Sequence, residues 1–205
     1  MTTHKGSQAS KEKIARSALR LFARKGYATA SLEEIATQAG FTKGAVYHFF
    51  KSKEALLLSL LRDIEERSIG KTTLALEQAD GGAMDRLVRF KNLQAQWAAR
   101  NADDLAILIW VSIESAHRKS AIRTQVLHIY ARIEEVLTAI IELGKQSGEF
   151  PADLPVADVV TWLISLHDGN MLSWYRSGRD IEVGRRLTRA SRQAAQMAIR
   201  MGQIA

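Results

Sequence analysis

The chain has 205 residues, 46% hydrophobic and 25% charged, with 29 Lys and Arg against 22 Asp and Glu. This length and apolar content suffice for one small domain and one larger domain, each with a buried core. The sequence contains no cysteine, which excludes structural disulfides, thiol catalysis and thiolate metal sites.

No segment has the composition of a membrane span or a secretory signal. The longest continuous apolar run, residues 105–111, is too short to cross a bilayer. The N-terminus, MTTHKGSQASKEK, is polar and lacks the apolar region of a signal peptide. We therefore expect a cytoplasmic protein.

Residues 11–25 predict a first helix with one apolar face, because Ile14, Ala18, Leu21 and Phe22 recur at helical spacing. The same segment is rich in Lys and Arg, so binding to a membrane surface is an alternative. We favour an internal role for the apolar stripe, since a small domain needs it as its core.

The segment SLEEIATQAGFTKGAVYHFFKSK, residues 31–53, has the pattern of a helix-turn-helix. Ser31 and Glu34 have the spacing of a capping box for a helix over residues 32–39. Gly40 is placed to end that helix. Thr42 can cap a second helix reading KGAVYHFF, and Ser52 can cap the next one.

The second of these helices is predicted to expose a face suited to DNA. Val46, Phe49 and Phe50 can point inward, which leaves outside a cation, a small residue, a phenol and an imidazole: Lys43, Gly44, Tyr47 and His48. Lysine can reach phosphate or a guanine edge, hydroxyl groups can bind phosphate oxygens, and glycine permits close approach of the backbone. The alternative for Tyr47 and His48 is that they are ordinary half-buried aromatic residues.

The charge is concentrated in the same part of the chain. Residues 1–62 contain eleven Lys and Arg but only four Asp and Glu, whereas the remaining 143 residues hold eighteen of each sign. A charge that served solubility alone would not segregate in this way. We therefore predict DNA binding whose affinity falls steeply with salt.

These motifs resemble the N-terminal domain of TetR/AcrR-family transcriptional regulators. The similarity extends over KEKIARSALRLFARKGY, SLEEIATQAG and FTKGAVYHFFKSKEALL. It implies a DNA-binding domain over residues 1–52 and an effector-binding and dimerisation domain over residues 53–205, in an all-α fold. The positions that correspond to DNA contacts in the family are Ser31, Thr42, Lys43, Gly44, Tyr47, His48 and Lys53.

The rest of the chain is predicted to be all-α. A helix that begins at Ser52 should continue to about Glu77, and residues 122–144 carry one continuous apolar stripe. Residues 105–113 are apolar on nearly every side, so we expect that helix at the centre of the bundle, where a ligand cavity would have walls.

Polar and aromatic residues within these apolar helices are the candidates for a small-molecule pocket. Glu114, His167 and Asp168 interrupt apolar stretches and would be unfavourable if buried without partners. They are either specificity groups or members of an internal hydrogen-bond network. An effector that is hydrophobic in part could contact aromatic and sulfur-containing residues, which could equally be core: Trp97, Trp110, Tyr130, Met171 and Trp174.

The last two helices have more apolar surface than one core requires. Val183, Leu187, Ala190, Ala194 and Met197 form a heptad-like seam with small residues. In the preceding helix Trp162, Leu166 and Gly169 lie off the main apolar stripe. These eight residues predict a homodimer interface, as the family resemblance also implies, unless they are buried within one chain.

Together these features predict a regulator that reads a DNA sequence. The resemblance implies a repressor that leaves a palindromic operator when a small molecule binds, with activation or ligand-independent regulation as alternatives. A non-specific architectural DNA binder is a rival from another class. An enzyme is disfavoured, because HExxH, GxSxG and GxGxxG motifs are missing. We expect no cofactor and no bound metal.

Overall fold

The computed structural model describes residues 2–201, with side chains for residues 6–199, and every regular element in this part of the chain is helical. This confirms the predicted all-α fold. In chain order the elements are α1 (Thr2–Lys25), α2 (Leu32–Ala39), α3 (Lys43–Phe49), α4 (Lys53–Glu65), a π-helical segment (Glu66–Gly70), α5 (Lys71–Glu77), α6 (Ala83–Arg100), α7 (Ala102–Ser115), α8 (Ala121–Gln146), α9 (Val156–Arg176) and α10 (Ile181–Met201).

Two compact units are present, and each is discontinuous in sequence. The first contains α1 to α3 and α4 up to Ile64, together with Asp103–Leu127. The second contains Glu65–Ala102 and the chain from His128 onward. Each unit buries its own apolar core.

The core of the first unit explains how the short helices α2 and α3 are held. α1 packs against α2, and α2 packs against α3. Ile14, Ile35 and Val46, one from each of these helices, are fully buried. The apolar stripe of α1 is therefore used inside the unit, as predicted, because burial of an amphipathic face supplies the stability that such short helices lack in water.

The predicted ends of the helices in the helix-turn-helix are confirmed. The hydroxyl group of Ser31 accepts a hydrogen bond from the backbone N–H of Glu34 at 3.1 Å, and the Glu34 carboxylate accepts one from the Ser31 N–H at 3.1 Å. Gly40 has φ 70°, the left-handed conformation that ends α2. Thr42 and Ser52 each accept a hydrogen bond from the backbone N–H three residues later.

The helix predicted from Ser52 to about Glu77 is confirmed in extent but not in regularity. It begins at Lys53 and ends at Glu77, and it is interrupted by the π-helical segment. That segment buries Ser68 and Ile69. Directly before it, the buried carboxylate of Glu65 pairs with Arg132 at 3.0 Å and with His128 at 3.3 Å.

In the second unit α10 packs against both α6 and α9. Among the described side chains of α10, the buried ones are Ser191, Ala195 and Ile199, which are spaced by four and so form a narrow stripe along the helix. The predicted apolar stripe of α8 is confirmed, since it provides buried residues over its whole length: Val126, Ile129, Ile133, Leu137, Ile140 and Ile141.

The expectation that α7 is surrounded by other helices is wrong. Leu105, Ile107 and Val111 are buried, but Trp110 is 45% exposed and Ile113 is 60% exposed. α7 therefore buries one face and presents an apolar second face to solvent. Uniform hydrophobicity identified a helix with a buried face, but it did not identify how many neighbours that helix has.

Gly144 in α8 makes a close contact with Phe150 that a larger residue could not make. The backbone N–H of Phe150 donates to the Gly144 carbonyl at 2.9 Å, and the Phe150 ring is 3% exposed. A Cβ atom on residue 144 would overlap that ring. The packing of the Phe150 ring against α8 therefore requires a residue without a side chain at position 144.

We expect Gly144→Ala to lower the free energy of unfolding by about 2 kcal/mol, although alanine normally favours a helix interior over glycine by about 1 kcal/mol. The reason is the displacement of Phe150. Denaturant unfolding measures the effect, with Gly6→Ala as the control, because a Cβ atom on that helical residue meets nothing within 4 Å. Equal stability of the two variants would contradict the packing of Phe150 on α8.

Candidate functional site

The helix α3 has one buried side and one exposed side. Val46 is fully buried, and Phe50, which follows the helix, is 4% exposed. The candidate DNA contacts at its start and along its outer side are all exposed: Thr42, Lys43, Gly44, Tyr47 and His48. The structure therefore brings five of the seven predicted DNA contacts together on one helix and its cap.

Lys43 has only a weak contact with another side chain of the protein. Its Nζ lies 3.7 Å from Oε2 of Glu33 in α2, and both side chains are more than half exposed. An exposed ion pair of this kind contributes little to stability. The Lys43 ammonium can therefore exchange this partner for a phosphate or a base edge. Tyr47, 44% exposed, presents its ring and hydroxyl group on the same helix.

Ser31 and Lys53, the remaining two predicted contacts, have internal partners. The Ser31 hydroxyl group belongs to the capping box of α2. The Nζ of Lys53 donates to the carbonyl oxygens of Tyr27 at 2.9 Å, Ala28 at 3.1 Å and Ala30 at 2.9 Å. It also lies 4.6 Å from the centre of the Tyr27 ring. These contacts tie the start of α4 to the loop between α1 and α2.

The second unit contains a cavity of about 540 Å³ lined by residues of α6, α9 and α10. Three of the eight predicted pocket residues, His167, Met171 and Trp174, line it. Burial lowers the pKa of His167 to about 4, and the positive charge of Lys91 adds to the shift. His167 is thus a neutral hydrogen-bonding group at physiological pH.

Tyr130 and Asp168 form a half-buried hydrogen-bonded pair and are not among the residues that line the cavity. Burial raises the pKa of Asp168 to about 6, and the hydrogen bond from Tyr130 opposes the shift. The pKa of Tyr130 is also raised, first by burial and then by the charge of Asp168. This pair matches the internal network that the sequence left open for Asp168.

Trp97, Trp110 and Glu114 are also not among the residues that line the cavity. Trp97 is buried in α6, and its indole N–H has no hydrogen-bond acceptor among the described residues. Trp110 and Glu114 belong to the first unit. Glu114, a candidate specificity or network residue, has an exposed side chain, and an ideal Cβ on Gly26 would lie 3.4 Å from its carboxylate.

The eight residues predicted to form a dimer interface are placed on α9 and α10, and none of them is buried within the chain. Met197 is 63% exposed, and Ala190, Ala194 and Gly169 are exposed as well. Trp162, Leu166, Val183 and Leu187 are half-buried. This apolar surface is therefore available to a partner, and one of its residues, Leu187, also lines the cavity.

The basic residues of the cavity are not among those predicted from the sequence. Lys91 of α6 and Arg185, Arg189 and Arg192 of α10 all line it. A usable signal was present, because the three arginines are spaced by four and three residues and so share one helical face. Lys91, which lines the same cavity, is almost one hundred residues away in sequence, so sequence spacing alone could not place it beside the arginines.

The described fold and the exposed face of α3 define a helix-turn-helix DNA-binding regulator. The family model for bacterial regulatory proteins of the tetR family matches residues 14–60, and the model of the tetracyclin repressor-like C-terminal domain matches residues 83–190. The chain belongs to the TetR family of transcriptional regulators, which confirms the resemblance.

Individual relatives agree with this assignment. The structure of the MbdR regulator from Azoarcus sp. CIB has a TM-score of 0.80 at 31% identity, over 91% of this chain and 96% of that chain. The HTH-type transcriptional repressor KstR2 of Rhodococcus jostii is 27% identical over 80% of this chain and 78% of its own length. YerO of Bacillus subtilis, an uncharacterized HTH-type transcriptional regulator, is 46% identical over 72 residues, and the match spans only 25% of that protein.

Family membership settles the broad class of function. TetR-family proteins are DNA-binding transcriptional regulators rather than enzymes, and they bind small-molecule effectors. Within residues 2–201 no helix is long and apolar enough to cross a membrane.

Proposed function

We propose that this protein is a transcriptional repressor that binds a palindromic operator as a homodimer and is released by a small-molecule effector. The observation that carries the proposal is the exposed polar side of α3, whose opposite side is buried in the core of the first unit. A rigid helix with these side chains can enter the major groove and contact phosphates and base edges.

The DNA contacts in this proposal come from residues 1–52. Lys43 and Tyr47 reach a base edge or phosphate, Thr42 and His48 contact the backbone, and Gly44 allows the helix to approach closely. Ser31 and Lys53 serve mainly to fix the ends of α2 and α4, given their internal hydrogen bonds. The excess positive charge of residues 1–62 strengthens binding through the release of counterions.

Residues 53–205 supply dimerisation and effector binding. The exposed apolar surface of α9 and α10 supports a two-fold interface in which the same residues meet their copies. A dimer of this kind presents two copies of α3, so the operator should be a palindrome with half-sites separated by about one helical turn or a multiple of it. The cavity among α6, α9 and α10 is the effector site.

Effector and operator oppose each other in this scheme through a two-state switch of the dimer. The effector binds more tightly to the state that fits DNA less well, and linkage requires each ligand to weaken the other by the same factor. Because α9 and α10 contribute both to the cavity and to the proposed interface, a ligand in the cavity can change the geometry of the dimer.

Selection of bound DNA from a randomised duplex pool tests this function. We expect the purified protein to enrich a palindrome. The logarithm of its affinity for that palindrome should fall linearly with the logarithm of the salt concentration. Analytical ultracentrifugation of the complex should give two protomers, or a multiple of two, per palindrome. Enrichment of an asymmetric site, or uniform binding to every duplex, would contradict the proposal.

A further inference from the structure

The cavity of the second unit has an unbalanced charge. Four basic side chains line it, Lys91 from α6 and Arg185, Arg189 and Arg192 from α10, whereas no Asp or Glu is among its lining residues in the described chain. Arg185 has an acidic neighbour outside the lining, because its guanidinium pairs with Glu182 at 2.5 Å. The other three cations give the cavity a positive potential.

Lys91 is a partly buried cation of the cavity that pairs with no carboxylate of the described residues in the salt bridges of the structure. It is half-buried, and its Nζ donates to a neutral group, the Ser191 hydroxyl, at 2.8 Å. Burial lowers the pKa of Lys91 to about 8, with no contribution from a nearby carboxylate. An ammonium group that has lost water without gaining a negative partner is unfavourable, and a bound anion would remove that penalty.

The remaining walls of the cavity are apolar or neutral. Met171, Trp174 and Leu187 provide hydrocarbon, sulfur and aromatic surface, and Ala95 and Ala99 leave space beside them. A volume of about 540 Å³ lies within the usual range for small-molecule sites. A small inorganic anion alone would leave most of this apolar surface unused.

We infer that the cavity binds an organic anion with an apolar body, in which Lys91 and Arg192 hold the acidic group and Met171 and Trp174 contact the body. The acidic group is a carboxylate or a phosphate ester, both of which accept hydrogen bonds from ammonium and guanidinium groups. His167, neutral in this setting, supplies a further hydrogen bond. The inference rests on the proposed function in treating this anion as the effector.

The charge of the cavity also excludes other classes of ligand. A quaternary ammonium ion would meet the positive charges of Lys91, Arg189 and Arg192, and like charges in a partly buried site repel each other. A neutral molecule of the same shape would fill the apolar part but would leave Lys91 with its neutral partner alone. Selectivity for the anion is therefore a measurable consequence of the site.

Calorimetry on the full chain without DNA tests the inference with matched probes. The first set is decanoate, decyl phosphate, decanamide and decyltrimethylammonium, and the second is phenylbutyrate with phenylbutyramide. We expect at least one anion to bind at least about tenfold more tightly than its amide, and the ammonium probe not to bind. Comparison of decanoate with decyl phosphate then distinguishes the two acidic groups. Amides that bind as well as anions in both sets, or no binding by any anion, would overturn the inference.

Lys91→Met, which keeps an unbranched apolar side chain, should weaken the preferred anion by about tenfold to a hundredfold and leave the amide unchanged. Lys71→Met is the matched control, because Lys71 is exposed in α5 and does not line the cavity. Lys91→Arg, which retains the charge, should restore part of the affinity. Equal loss for anion and amide would assign Lys91 a packing role and overturn the inference.

Proton uptake gives a readout that packing would not change. Near pH 8 Lys91 is partly deprotonated, and its titratable and charged neighbours in the cavity are His167 of α9 and Arg185, Arg189 and Arg192 of α10. A bound anion raises the pKa of Lys91, so binding should take up protons at pH 8 and much less at pH 6. Calorimetry in buffers of different ionisation heat measures this uptake, which Lys91→Met should abolish.

The two proposals can fail separately. If anions bind through Lys91 but do not displace the selected operator, the site stands and its role as effector site fails. If the operator is released by ligands that bind equally well to Lys91→Met, the repressor stands and the anion site fails.

Discussion

Replacing Lys43 and Tyr47 together with alanine is expected to reduce affinity for the selected operator by at least about a hundredfold. Each side chain makes a DNA contact in each protomer of the proposed dimer, and single contacts of this kind contribute about 1 to 3 kcal/mol. Both side chains are exposed, so the unfolding temperature should stay the same. Titration of the labelled operator, with thermal unfolding of each protein, measures both quantities.

The salt dependence of this variant separates the two kinds of contact. A plot of the logarithm of affinity against the logarithm of salt concentration has a negative slope. Loss of one phosphate contact reduces the magnitude of that slope by about 0.9, whereas loss of a base contact leaves it unchanged. Glu33→Gln serves as a control of opposite sign, because the Glu33 carboxylate pairs with Lys43 and repels DNA. We expect it to strengthen binding. Unaltered affinity in the double variant would reject α3 as the recognition helix.

The helix-turn-helix could be predicted from sequence because its determinants are local. The capping box depends on two residues three positions apart, Ser31 and Glu34, and the end of α2 depends on one left-handed glycine, Gly40. Backbone N–H groups at a helix start need partners nearby, so the residues that satisfy them are close in sequence. The starts of α3 and α4 could be predicted for the same reason, from their caps Thr42 and Ser52.

The cavity could not be predicted in this way because α6, which forms one of its walls, is distant in sequence from α9 and α10, which form the others. Lys91 and Ser191 are one hundred residues apart, yet they share a hydrogen bond. Composition selected aromatic residues such as Trp110, which is exposed and belongs to the other unit. Aromatic and apolar residues are common to cores, surfaces and pockets, so their presence alone does not identify a binding site.

Glu114 illustrates the same limit for charged residues. It follows an apolar stretch, which favoured burial, but α7 buries only one face and Glu114 lies exposed beside Gly26. Its negative charge, after burial and the charge of Glu54, is one of the causes that raise the pKa of Tyr27. Which side of a helix is buried depends on its neighbours in three dimensions, and those neighbours are distant in sequence.

Lys53→Met is expected to destabilise the first unit by about 3 kcal/mol. The substitution removes three hydrogen bonds to the carbonyl oxygens of Tyr27, Ala28 and Ala30, and it removes the cation from the face of the Tyr27 ring. Hydrogen exchange at the amides of residues 26–31 measures the loosening directly. Lys51→Met is the control, since Lys51 is exposed and the change in net charge is the same.

Lys53→Arg distinguishes this structural role from the DNA contact that the family resemblance implies. If Lys53 acts mainly on a phosphate, arginine should keep operator affinity and its salt dependence, because guanidinium binds phosphate well. If it acts on the loop, arginine should fail to restore stability, because a planar guanidinium cannot direct its donors to three converging carbonyl oxygens as an ammonium group does. We expect the second result, with operator affinity falling in both variants because the loop that precedes Ser31 is no longer fixed.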